Sequence, residues 1–138
     1  MKNTEMKFEN LNKVKEDIMK KYPQLTEDYH KAKNDNFLVY TEYDITAKRA
    51  VVETKGYRGR MYTFLYWEPE MGSIENALNL EDVRDELNYF YQIENEEEKR
   101  KEAKEFLEKY TKNMNTILVY LDTRNRILVE GIIEDYKQ

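Results

Sequence analysis

Lys55-Gly56-Tyr57-Arg58-Gly59-Arg60 is the densest run of chemistry in the chain, with three cations and one aromatic ring set between two glycines. Glycines let backbone N–H groups come close to an anion. Lys55, Tyr57, Arg58 and Arg60 would then form an anion site, the arginines gripping the ligand and the tyrosine stacking on a ring. A nucleotide, an exposed phosphate or another small anionic ligand fits that chemistry. The spacing is that of neither a Walker loop nor a dinucleotide fingerprint, and a plainer reading makes the run a solvated turn between two strands. Other reactive side chains are sparse. His30 is the only histidine, lies in a polar stretch and has no partner apparent in the sequence for general-base work. Ser73 is the only serine and lacks a Gly-x-Ser-x-Gly context. The absence of cysteine removes disulfides, thiolate metal sites and thiol nucleophiles, and one histidine leaves a zinc site short of ligands.

A second pattern joins Asp44 to Val51-Val52-Glu53-Thr54-Lys55, with Glu16 on a preceding helical stretch. It resembles the Asp…Glu-x-Lys signature of the restriction-endonuclease-like nuclease superfamily, over roughly residues 8–55. The resemblance implies Asp44 and Glu53 as Mg²⁺ ligands, with Lys55 helping to position the attacking water. That family places a helix soon after the lysine strand, whereas here another strand-like run follows at once. Glu-x-Lys also arises readily in a chain with 20 Glu and 16 Lys, and carboxylate pairs such as Glu68/Glu70 or Glu134/Asp135 are as common. The expectation is a protein that is not an enzyme and holds no cofactor or metal.

Charge is distributed unevenly. Residues 68–110 carry 14 acidic and 6 basic groups, whereas residues 1–35, 36–67 and 111–138 carry net charges of +1, +2 and 0. Eleven of these carboxylates lie on two helical stretches and, with tyrosines among them, would suit the basic cleft of a nucleic-acid-handling protein. Carboxylates spaced along a helix approximate the charge, though not the geometry, of a phosphate backbone. The candidate partner-binding residues are Glu81, Asp82, Asp85, Glu86, Tyr89, Tyr91, Glu96 and Glu97. The plainer reading is a solvated surface, with Glu94 to Glu98 favouring a helix start through the macrodipole.

Several elements must position these residues. Phe8, Leu11, Val14, Ile18 and Tyr22 recur at helical spacing, and Pro23 disfavours helix at Tyr22. A weaker helical piece spans Thr26–Lys33, before Asn34-Asp35-Asn36. Phe37–Tyr43, Arg49–Thr54 and Met61–Trp67 are rich in β-branched and aromatic residues, and their short connections predict an antiparallel meander ending at Glu68–Gly72. Asn79 is a candidate N-cap for a helix carrying Leu80, Val83, Leu87 and Phe90 on one face. A further helix over Glu94–Asn113 has Ala103, Phe106, Leu107, Tyr110 and Met114 on its stripe. Its Glu96/Arg100, Glu97/Lys101 and Glu105/Lys109 pairs stand in the favourable i,i+4 order. Ile117–Asp122 and Ile127–Tyr136 read as a hairpin around Thr123–Arg126. The unbroken apolar run Ile117 to Leu121 makes that hairpin the expected centre of the sheet, with Val119 in the core and Gly131 at a bulge or close backbone approach.

The order α-β-β-β-α-α-β-β predicts a single α+β domain over residues 1–138, in two layers, with three to four helices packed on a five-stranded antiparallel or mixed sheet. A length of 138 residues suits one domain, and 13% aromatic content supports a real core despite 37% charged residues. With no long apolar run and no apolar leader at its start, the chain reads as soluble and cytoplasmic, without membrane contact. Lys, Asn, Tyr and Ile total 48 against 18 for Gly, Ala, Pro and Arg, a skew expected of a low-GC bacterium or of a phage or plasmid within one. The leading expectation is a non-enzymatic acidic inhibitor from a phage or mobile element. It would occlude a host defence or nucleic-acid-handling protein, as anti-CRISPR and anti-restriction proteins do. The partner would be a protein with a basic, nucleic-acid-binding surface rather than nucleic acid itself. The alternatives are a toxin-neutralising immunity protein, a binder or sponge for a nucleotide at residues 55–60 and, after these, a Mg²⁺-dependent nuclease.

Overall fold

The computed structural model describes residues 13–14, 16–23, 40–44, 49–55 and 60–136, with backbone alone for 40–44 and 55. The chain divides into two compact units, residues 1–79 and 80–138.

The first unit holds helix α1 (13–14 and 16–21) and strands β1 (Tyr40–Asp44), β2 (Arg49–Lys55), β3 (Met61–Trp67) and the two-residue β4 (Leu78–Asn79). α1 ends where Pro23 requires, with the Tyr22 N–H donating to the Ile18 carbonyl at 2.9 Å as its last turn. Phe8, Leu11, the 26–33 helical piece and His30 lie outside the described residues. The three long strands form the antiparallel meander that their short connections require, and β4 pairs with β3 at Leu65 and Tyr66. Between β2 and β3 the register shifts: Val52 faces Leu65 but Glu53 faces Thr63, so Phe64 is an extra residue on β3. A bulge of this kind breaks strict alternation, and consecutive Phe64 and Leu65 both join the core with Val14, Ile18, Ala50, Val52, Trp67 and Ile74. Tyr22, just past α1, meets Phe64 edge-on, ring centroids 5.0 Å apart. Beyond β3, Gly72 adopts φ +79°, a value glycine alone accepts without strain. Its carbonyl accepts the Trp67 indole N–H at 2.9 Å, tying the chain reversal to the core.

The second unit is helical: α2 (Leu80–Gln92), α3 (Glu96–Lys109), α4 (Met114–Tyr120) and α5 (Thr123–Tyr136), with a 3₁₀ turn at Thr111–Asn113. α2 starts directly after Asn79 and buries Leu80, Val83, Leu87 and Phe90, the stripe its spacing predicts. α3 starts at an Asn95 cap whose side chain accepts the Glu98 N–H at 3.0 Å, and it buries Ala103 and Phe106. α2, α3 and α5 pack on one another and α4 packs on α5. Phe90 and Tyr136 meet edge-on at 6.1 Å, and Phe106 lies against Tyr110 at 4.9 Å.

The architecture is α+β, with a three-stranded antiparallel sheet extended by β4 and five helices among the described residues, and this corrects the expected five-stranded sheet. The difference lies in residues 117–136, which form two helices instead of a hairpin. A short apolar run has no periodicity that separates a buried strand from a buried helix. In α4 the run resolves at helical spacing: Ile117 and, just past the helix end, Leu121 are buried and Val119 is 68% exposed, so Val119 is not a core residue. Asp122 caps α5, since its carbonyl accepts the Arg126 N–H at 2.9 Å and its side chain the Asn125 N–H at 3.4 Å. A side-chain cap of this kind starts a helix where the sequence alone reads a turn. Gly131 therefore sits inside α5, neither at a bulge nor at a close approach, and a methyl group in place of its α-hydrogen would meet nothing within 4 Å.

Candidate functional site

α2 carries most of the candidate partner residues, and its periodicity sorts them. At about 100° per residue, Asp82, Asp85 and Tyr89 fall opposite the buried stripe, and all three are exposed, Tyr89 at 52%. Tyr91 is also exposed, at 65%, but two positions on from Tyr89 it projects from another side of the helix. Glu96 and Glu97 stand exposed in the first turn of α3, where the helix dipole and the Asn95 cap favour them.

Glu81 and Glu86 have internal roles. Arg84, nearly buried, donates from Nη1 to Glu81 at 2.6 Å and from Nε to Asp122 at 3.0 Å, joining α2 to the start of α5. The Glu86 carboxylate accepts from Lys109 of α3 at 2.5 Å. Burial pushes the Tyr110 hydroxyl pKa well above its ordinary value, and the neighbouring carboxylates of Glu86 and Asp82 push it the same way, so Tyr110 stays a neutral phenol. At Asp122 burial acts to raise the pKa. Hydrogen bonds from Asn125 and Arg84, with the Arg84 charge, outweigh it and hold the carboxyl below its usual range. Sequence reasoning misses the pairing of Arg84 with Asp122. They lie 38 positions apart, and only the folding together of α2 and α5 makes them neighbours. The capping role of Asp122 has a local signal in the Asn three residues on.

The basic run 55–60 falls largely outside the described residues. Lys55 ends β2 opposite Met61 and Arg60 is exposed, while Tyr57 and Arg58 are not described. Of the nuclease-like pattern, the backbone shows that Asp44 pairs with Arg49, whereas Glu53 pairs with Tyr40, four residues along β1. Along the strand that offset is roughly 13 Å. Glu53 is half-buried, and the Glu68 carboxylate accepts from the Tyr66 hydroxyl at 2.9 Å. Ser73 is exposed before a 3₁₀ turn. Among the described residues no three His, Asp or Glu side chains gather as metal ligands, and no helix is long and apolar enough to cross a membrane.

No protein-family model matches the chain, and no curated protein or solved structure is found to be similar to it.

Proposed function

We propose that the chain is a non-enzymatic acidic binding protein that acts in the cytoplasm by occluding a basic protein partner. We place it with inhibitors from phages or mobile elements whose targets are host defence or nucleic-acid-handling proteins. The observation that carries this reading is the solvent face of α2, where Asp82, Asp85 and Tyr89 share one exposed stripe. Glu96 and Glu97 add exposed negative charge at the start of α3. Carboxylates on such a face steer a cationic partner into encounter over a range set by ionic strength. An exposed tyrosine on the same face supplies contact area at low entropic cost, the role aromatic residues take at protein interfaces.

The test is charge reversal. The protein is immobilised, partners are captured from a host lysate and identified, and association of the captured protein is then timed at low and high salt. Changing Asp85, Glu96 and Glu97 together to Lys is expected to slow association about tenfold or more at low salt, with the difference shrinking as salt rises. Glu81 is left in place because it holds Arg84. Both this variant and one with Lys55, Arg58 and Arg60 changed to Glu must first melt like the parent. Loss of binding in the second variant alone would replace the acidic surface with the anion-binding reading of residues 55–60. A captured toxin in place of a defence protein would make the chain an immunity protein acting through the same face.

A further inference from the structure

We draw no further inference here: the strongest candidate, the exposed apolar side chains Val119 on α4 and Ile127 on α5, carries nothing because nothing in the structure shows what covers them.

Discussion

Residues 1–79 hold thirteen basic and thirteen acidic groups and residues 80–138 hold ten and fifteen, so the net charge of −5 rests entirely on the helical unit. The two units also use their residues differently. In β3 every position from Thr63 to Trp67 is buried, because both faces of the strand are covered and the bulge at Phe64 turns a further side chain inward. In α3, fourteen residues long, only Ala103 and Phe106 are buried. A helix that packs along one stripe leaves most of its surface free for charge, whereas a strand covered on both sides leaves almost none. A recognition surface written in side-chain charge therefore has room on α2 and α3 that β3 does not offer. Within the helical unit the same logic separates Glu86 and Asp122, which join one helix to another, and Glu81, which pairs with Arg84 on its own helix, from Asp85, Glu96 and Glu97, which face solvent.

The sharpest way to test that contrast is to damage one core and watch the other. Leu87→Ala removes a fully buried side chain from the helical unit and should cost about 2–5 kcal/mol, read as a lower urea midpoint by far-ultraviolet circular dichroism. Trp67, the only tryptophan, is buried in the sheet unit and reports separately by fluorescence. A fluorescence midpoint that stays in place would show the two units unfolding independently, and one that moves equally would show a single cooperative transition.

Asp122→Ala should have the next largest effect, about 1–3 kcal/mol, since it removes a helix cap and one partner of the nearly buried Arg84. Its pH dependence has a definite sign. The folded pKa of Asp122 lies below the ordinary value of 3.8, so its stabilisation is complete above the unfolded value and is lost as pH falls through the folded one. Parent and variant should therefore differ most at neutral pH and converge in acid below pH 3.8. A constant gap down to the lowest pH at which both fold would remove Asp122 from the charge network.

Gly131→Ala should stabilise the helical unit by about 0.5–1 kcal/mol, because the residue is inside α5 and an added methyl meets no neighbour. Destabilisation by thermal melting would mean that the backbone there is not helical. Val119→Asp is expected to have the smallest effect, about 0.5 kcal/mol or less, since Val119 is two-thirds exposed. An unfolded Val119→Asp protein would restore this residue to a core.

Elements whose signal is local are legible in the sequence. The end of α1 at Pro23, the buried stripe of α2 and strands β2 and β3 follow from spacing and residue type within a single segment. The acidic run starting at Glu94 predicts the start of α3 two residues early, because Asn95 supplies the cap. The α4–α5 segment reads as a hairpin in sequence and folds as two helices, since Ile117 to Leu121 is apolar throughout and has no internal period to choose between strand and helix. Within the acidic surface, sequence identifies the carboxylates but not their division of labour. Spacing matches Lys109 to Glu105 on its own helix, and in the fold it pairs with Glu86 on α2.

What the sequence determined by itself was charge placement and amphipathic periodicity, both properties of residues a few positions apart. Tertiary structure alone decided which helix faces meet, and through them that Arg84 joins Asp122 across 38 positions while Asp82, Asp85 and Tyr89 remain at the surface. The physical reason is that an ion pair or a buried face exists only once distant segments have excluded water from between them, and no spacing along the chain records that event.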